Sequence, residues 1–177
     1  TITASNVLGS VSSTTTVNPS SNASQIDLAA LPGSTTAGTE HTLAVTLKDS
    51  FGNVVTNYQG TVVFGSTDAK VVLNPASLTF TGAEGGVGSM KVTFKTAGSQ
   101  SVTATAGAIN DTSTTTVAAA GAVKIALTGP ASGTAGTAFS VTVTAYDTYD
   151  NVAPGYRGVV TFTSNDTHVA PAAVLPT

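Results

Sequence analysis

The chain repeats itself, and this repetition constrains its architecture more than any other feature of the sequence. The stretch DSFGNVVTNYQGTVVF begins at Asp49, and DTYDNVAPGYRGVVTF begins 98 residues later, at Asp147. At the same offset Pro32 aligns with Pro130, and the TAGT that begins at Thr36 aligns with a second TAGT. A period near 100 residues is too long for most solenoid repeats and is typical of a string of separate sandwich domains.

A second match places an incomplete repeat at each end of the chain. The first residues, TITAS, align with SVTAT at Ser101, an offset of 100, and the match continues to Val17. We therefore predict that residues 1–17 are terminal strands of a preceding repeat, 18–119 a complete repeat, and 120–177 the N-terminal part of a following repeat. A window cut from a longer tandem array would contain these three pieces. Head-to-tail strand exchange between copies of the chain is the alternative.

Alternating apolar and polar residues predict β-strands, and no segment has the sustained 3.6-residue period of a helix. Leu43, Val45 and Leu47 alternate with threonine and alanine, and Val62 and Phe64 share one parity in a second segment. Gly, Asn, Pro and Ser separate about seven or eight such short segments in each repeat, the number expected for an immunoglobulin-type sandwich. The predicted fold class is all-β, as tandem immunoglobulin-like Greek-key β-sandwich domains.

Composition excludes several classes of function. Only 8% of the residues are charged and the net charge is −3, so there is no basic surface to neutralise nucleic-acid phosphates. No apolar run approaches the roughly 18 residues of a membrane-spanning helix, so we expect no membrane insertion of this segment. The absence of cysteine removes disulfides, thiolate catalysis and cysteine-ligated zinc.

Three longer strings carry a family resemblance. VTLKDSFGNVVTNYQGTVVFGSTD, VTVTAYDTYDNVAPGYRGVVTFTSND and TFTGAEGGVGSMKVTFKTAGSQSVTAT resemble bacterial Ig-like tandem repeats of large cell-surface proteins and adhesins, with an invasin-type look. The resemblance covers nearly the whole chain. It implies an extracellular, cell-surface location and a structural or adhesive role as a stalk, fibre or filament. The partners it implies are neighbouring repeats or copies of the chain itself, with a host protein, matrix protein or glycan as a further partner.

The doubled Asp–Asn–Tyr pattern is the candidate site. Asp, Asn and Gly in such clusters bond their own backbone and tolerate positive φ angles, so we predict a structural corner made of a turn and a strand entrance. Each tyrosine shares the parity of the buried valines, and we expect its ring to pack in the core and its hydroxyl to reach a backbone group. The corner residues in the two copies are Asp49, Asn53 and Tyr58, and Asp147, Asn151 and Tyr156.

The second corner is richer in oxygen atoms than the first, because Asp150 stands where the first has Gly52. Asp147, Asp150 and Asn151 could therefore supply ligands to Ca²⁺, which takes six to eight oxygen ligands. A turn explains the same residues, and calcium is retained here as an alternative. We predict no other cofactor.

No catalytic constellation recurs between the repeats. His41 aligns with Phe139, His168 has no second histidine nearby, and there is no Gly-x-Ser-x-Gly motif. With no Trp and 6% aromatic residues, the chain is poorly equipped to stack on sugars. We expect a non-enzymatic structural or adhesive repeat. The alternative is a carbohydrate- or protein-binding Ig-like module of an adhesin or secreted enzyme.

Overall fold

A computed structural model describes residues 2–6, 9–14 and 22–167, and within these ranges the chain forms strands and no helix. The described part therefore contains no helix with the length and apolar character that a bilayer crossing requires. The strands in chain order are β1 (Ile2–Asn6), β2 (Gly9–Ser13), β3 (Gln25–Leu28), β4 (Ser34–Thr36), β5 (Glu40–Lys48), β6 (Gln59–Ser66), β7 (Val72–Asn74), β8 (Ser77–Thr81), β9 (Val87–Thr93), β10 (Gly98–Ala106), β11 (Ile109–Ala118), β12 (Lys124–Thr128) and β13 (Thr142–Tyr146).

Strands β3 to β11 form a two-sheet sandwich. One sheet has the order β4-β11-β10-β6-β8 and the other the order β3-β5-β9-β7. Every pair in the sandwich is antiparallel except β4, which runs parallel to β11. The chain therefore changes sheets between β3 and β4. The predicted fold class, an all-β immunoglobulin-like sandwich, is confirmed.

A single core lies between the two sheets and is filled by alternate residues of each strand. Val45 of β5, Val62 of β6, Val92 of β9 and Val102 of β10 are all fully buried. Successive side chains of a strand point to opposite faces, so the neighbours of these residues lie on the outside. Burying each such side chain contributes about 1.5–3 kcal/mol relative to leaving it in water.

The N-terminal hairpin repeats the register of the last hairpin of the sandwich. Ile2 of β1 pairs with Ser13 of β2, just as Val102 pairs with Ser113, 100 residues further along each strand. The alignment of residues 1–17 with the end of a repeat therefore has a counterpart in strand pairing. The three predicted domain boundaries themselves stay a prediction, and residues 15–21 and 168–177 lie outside the described residues.

The β12–β13 hairpin repeats the register of the first hairpin of the sandwich. Ile125 pairs with Ala145 as Ile26 pairs with Leu47. The patterns predict a longer strand from Phe139, but β13 begins only at residue 142. In the sandwich the first residues of β5 are paired by β9 alone, and no strand plays the part of β9 among the described residues after β13.

The hairpin β12–β13 therefore exposes residues whose counterparts are buried. Ile125 and Leu127 are 45% and 58% exposed, whereas Ile26 and Leu28 at the equivalent pairing positions are 6% and 5% exposed. Phe139 and Val141, just before β13, are also exposed. In the sandwich this face is covered by the second sheet, which the described residues after β13 do not supply.

Candidate functional site

The first corner is an aspartate-closed turn between β5 and β6. Asp49 is buried, and its Oδ1 accepts the backbone N–H groups of Phe51 and Asn53, each at 2.9 Å. The Asn53 amide Nδ2 also donates to the same carboxylate, with 3.2 Å to Oδ2. The backbone closes the turn, because the N–H of Asp49 donates to the carbonyl of Asn53 and the N–H of Gly52 donates to that of Asp49.

The second corner has the same hydrogen bonds. Buried Asp147 accepts the N–H groups of Tyr149 and Asn151 at Oδ1, at 2.8 and 2.9 Å, and the Asn151 amide at Oδ2, at 2.8 Å. Its Oδ2 also accepts the backbone N–H of Ala120 at 2.9 Å. Ala120 lies in the linker between β11 and β12, so this carboxylate holds both its own turn and the connection between these two strands.

These contacts set the ionisation of Asp147. Burial raises the pKa of its carboxyl, but the hydrogen bonds from Asn151, Ala120 and Tyr149 favour the charged form more strongly. The net effect is a pKa below the usual value, so the carboxylate is ionised near neutral pH.

Each tyrosine of the corner covers a glycine at the start of the following segment. Tyr58 packs edge-on against Phe80, with ring centroids 5.7 Å apart, and a Cβ on Gly60 would lie 2.6 Å from the Tyr58 hydroxyl oxygen. Tyr156 covers Gly158 in the same way. The hydrogen bonds found among the described residues do not include the bond expected from the Tyr58 hydroxyl to a backbone group; its ring instead packs at the edge of the core.

The second corner is docked onto the end of the sandwich. The side-chain oxygen Oδ1 of Asn151 accepts the backbone N–H of Ala97 at 2.8 Å, and its Nδ2 donates to the carbonyl of Lys95 at 2.8 Å. The ammonium of Lys70 donates to the carbonyl of Tyr149 at 2.7 Å. One amide side chain thus bonds both a backbone N–H group and a backbone carbonyl of the turn between β9 and β10.

The ring of Tyr149 completes this contact against a glycine. A Cβ on Gly38 would lie 2.5 Å from the Tyr149 hydroxyl oxygen, and Gly38 has a φ of +89°. Only glycine allows both the close approach and the backbone angle. The Lys95 ammonium lies 6.0 Å from the ring centroid, at the limit of a cation–π contact.

Asp68 holds the sandwich side of this contact in place. It is buried, and its carboxylate accepts the N–H of Lys70 at 2.8 Å, the N–H of Lys95 at 2.6 Å, and both the N–H and hydroxyl of Thr96 at 2.9 and 2.6 Å. Burial raises its pKa, but these hydrogen bonds outweigh burial and bring the pKa below the usual value of 3.8. Asp68 therefore fixes the loop before β7 and the turn before β10 together.

Sequence reasoning did not select Asp68 as a site residue, although a signal was present. The pair Ser66 and Asp68 recurs as Ser164 and Asp166 at the repeat offset. In both copies the serine hydroxyl accepts the aspartate N–H at 3.1 Å. The repetition marks a turn common to the two copies, but only the folded chain shows which distant backbone groups the carboxylate meets.

We call these contacts the joint. Its sandwich face consists of Gly38, Lys70 and the turn 95–97, and its corner consists of residues 149–151 with Asp147 behind them. Asp150 has a φ of 68°. Its carboxylate pairs with Lys124 at 2.5 Å, which lowers the pKa of Asp150 and raises that of Lys124. The charge of Lys70 on the sandwich face also contributes to lowering the pKa of the Asp150 carboxyl.

The proposed calcium ligands are close together in sequence, but in the structure each side chain bonds to a different partner. The Asp147 oxygens accept hydrogen bonds from its own turn and the linker, Asp150 turns to Lys124, and the Asn151 oxygen accepts from Ala97. No group of three or more His, Asp or Glu side chains suited to a metal ion occurs among the described residues. Calcium at this corner stays a prediction, and the change in melting temperature between calcium and chelator tests it.

The two histidines are not brought together in the described part of the chain. The Nε2 of His41 lies 2.7 Å from the Thr35 hydroxyl in the sandwich. His168 lies outside the described residues.

Comparison with known proteins finds partial structural similarity. Domains 4 and 5 of the S-layer protein SbsC share 22% identity with a TM-score of 0.43, over 61% of this chain and 58% of that one. SbsC domains 5–6 share 20% identity with a TM-score of 0.44, over 86% of this chain and 76% of that one. A family 2 glycosyl hydrolase from Bacteroides cellulosilyticus shares 19% identity with a TM-score of 0.46, over 63% of this chain and 17% of that one.

No protein-family model matches the chain, and neither does any curated protein. The chain spans less than two thirds of the first SbsC fragment and about a sixth of the hydrolase. At these identities and TM-scores we draw neither a family nor a function from the similarities.

Proposed function

We propose that the chain is a structural spacer in an extracellular surface protein, in which successive sandwiches are held end to end by joints of the kind described above. The role is mechanical and non-enzymatic. The observation that carries it is the joint itself, where Asn151, Tyr149 and Lys70 connect one repeat to the next through both polar and ring contacts.

The linker across the joint is short and bonded along its length. β11 ends at Ala118 and β12 begins at Lys124, which leaves five residues between them. The carbonyl of Ala118 accepts the N–H of Ala37, the N–H of Ala120 donates to Asp147, and the N–H of Val123 donates to the carbonyl of Tyr146. A linker pinned at three points restricts the angle between repeats far more than a flexible tether of equal length would.

The test is a distance measurement across the joint. Cysteines introduced at the exposed positions Thr105 and Thr128 carry spin labels, because the natural chain has no cysteine. We expect pulsed electron paramagnetic resonance to give one narrow distance distribution. Asn151→Ala removes both amide hydrogen bonds across the joint and should broaden this distribution.

The matched control is Asn53→Ala. Asn53 makes the same bonds within the first corner, but it is exposed and makes no hydrogen bond to another repeat among the described residues. This variant should keep the narrow distribution. A broad distribution in the natural chain, or equal effects of the two variants, would show that the joint does not set the angle between repeats.

Strand exchange between copies is a second candidate, and two observations favour it. The β1–β2 hairpin has the register of the terminal hairpin of a sandwich, and the β12–β13 hairpin has an exposed apolar face at Ile125 and Leu127. Adding the first hairpin of one copy beside the open sheet of another would extend the chain into a filament.

Light scattering after size exclusion tests this second candidate. Exchange predicts that the mass increases with protein concentration and that removal of residues 1–17 abolishes the increase. A monomer at every concentration would exclude exchange and leave the spacer proposal intact.

A further inference from the structure

We propose that the first corner, at residues 51–53, is the docking surface for the sandwich face of a preceding repeat. The occupant is a second copy of this sandwich placed N-terminal to the first, and the contact would be another joint. This inference rests on the proposed spacer function and extends it to a surface for which the described residues provide no partner.

The first corner already has the shape that the second corner uses in the joint. Asp49 organises Phe51 and Asn53 through the same backbone hydrogen bonds that Asp147 makes to Tyr149 and Asn151. The backbone closure of the two turns is also the same. The side chains at positions 51 and 53 are therefore presented as those at 149 and 151 are.

Exposure separates the two corners. Tyr149 is half-buried against the sandwich face, whereas the ring of Phe51 is 86% exposed, more than any other large apolar side chain of the described residues. Covering an exposed aromatic ring removes apolar surface from water and so lowers the free energy. Asn53 beside it is exposed, whereas Asn151 is partly covered by the turn 95–97.

The two corners differ at positions 51 and 52, where Phe and Gly stand in place of Tyr149 and Asp150, and neither difference removes a hydrogen bond of the joint. Phe51 keeps the ring that packs on Gly38 and loses only the hydroxyl, and the Lys70 contact is made by the backbone carbonyl at that position. Gly52 replaces Asp150, whose carboxylate forms its ion pair with Lys124 of its own segment and has a through-space charge interaction with Lys70 of the sandwich face. The groups that make the hydrogen bonds and the ring contact across the joint are thus available at the first corner, which lacks only the Asp150 charge.

The sandwich face within this chain is not free to receive Phe51. Gly38, Lys70 and the turn 95–97 are already covered by the second corner of the same chain. The occupant must therefore be the equivalent face of another sandwich, joined through the linker that precedes Gln25.

The experiment uses a tandem chain that contains the whole natural sequence. A second copy of residues 18–117 is inserted between Val17 and Asn18, which preserves the Val–Asn sequence at both joins. Thr56→Ser in the downstream sandwich, at an exposed turn position, distinguishes the two Phe51 peptides by mass. Hydroxyl-radical footprinting with mass spectrometry then measures the oxidation rate of each aromatic ring.

We expect the downstream Phe51 to be oxidised several-fold more slowly than the Phe51 of the added copy and than Phe51 of the natural chain. Tyr149 reports on the existing joint in the same sample, and protection of buried Phe80 shows that both sandwiches are folded. Equal oxidation of the two Phe51 rings while Tyr149 is protected would overturn this inference alone. An unprotected Tyr149 would overturn the spacer proposal and, with it, this inference.

Discussion

At the scale of single residues, three buried aspartates hold the backbone of loops in place. Asp49, Asp68 and Asp147 are each at most 2% exposed, yet each is surrounded by hydrogen-bond donors of a turn. A buried carboxylate is tolerable only when its oxygens are satisfied in this way. Their role is to fix backbone positions at the two ends of a sandwich.

Asp68→Ala should lower the free energy of unfolding by about 2–4 kcal/mol, because it leaves four partly buried donors of residues 70, 95 and 96 without an acceptor. Chemical denaturation measures the loss. Asp27→Ala is the control, since Asp27 is half-exposed and pairs with Lys48 at the surface, a contact of about 1 kcal/mol at most. Equal losses in the two variants would show that the Asp68 network adds nothing to stability.

Asp68 also predicts a dependence of stability on pH. Its pKa is lower in the folded chain than the usual 3.8, so its contribution is complete above about pH 4 and is lost as the pH falls through the folded-state pKa. Asp68→Asn should therefore weaken the loss of stability on acidification, measured as the denaturation midpoint at a series of pH values. An unchanged acid slope in Asp68→Asn would contradict this assignment.

Gly60→Ala tests the close approach of the corner tyrosine. The added Cβ would meet the Tyr58 hydroxyl oxygen at 2.6 Å, at a backbone φ of +156°, so the ring shift and the backbone strain together should cost about 1–2 kcal/mol. Gly65→Ala lies on the same strand with no atom within 4 Å of the new Cβ, and should be neutral or slightly stabilising. Thermal unfolding of the two variants compares them, and equal melting temperatures would contradict the contact.

At the scale of strands, alternation along β6 separates core from surface within two adjacent residues. Val62 is fully buried and Val63 is 54% exposed. Val62→Ala should cost about 2 kcal/mol because it leaves a cavity between the sheets, whereas Val63→Ala should change stability by about 0.5 kcal/mol or less. Denaturant titration measures both, and a similar cost for the two would mean that β6 does not have the observed register.

The alternation of apolar and polar residues does not by itself predict the length of a strand. The patterns of β5 and of residues 139–145 are nearly the same, yet β5 has nine residues and β13 has five. A strand continues only as far as a neighbour satisfies its backbone groups. For β5 that neighbour is β9, which comes some 40 residues later in the chain, so no local pattern could have predicted the difference.

At the scale of the whole molecule, the joint fastens the second corner to the end of the sandwich. Its contacts combine one amide, one aromatic ring and the ammonium groups of Lys70 and Lys95. Because Asp147 holds Asn151 and Ala120 as a carboxylate with a lowered pKa, the joint should loosen in acid. The label distances between positions 105 and 128 should broaden below about pH 4, and a width independent of pH would contradict this role of Asp147.

The sequence by itself determined the repeat, the all-β class and the doubled corner, because these depend on local alternation and on turn chemistry that recurs every 98 to 100 residues. It could not show that Asn151 binds the turn at 95–97, or that Asp68 accepts hydrogen bonds from Lys95 and Thr96 of that turn. Those contacts join residues 54 and 28 positions apart, and they exist only once the sheets have brought the loops together. The tertiary structure alone therefore decided which of two nearly identical corners is covered and which, at Phe51, is exposed.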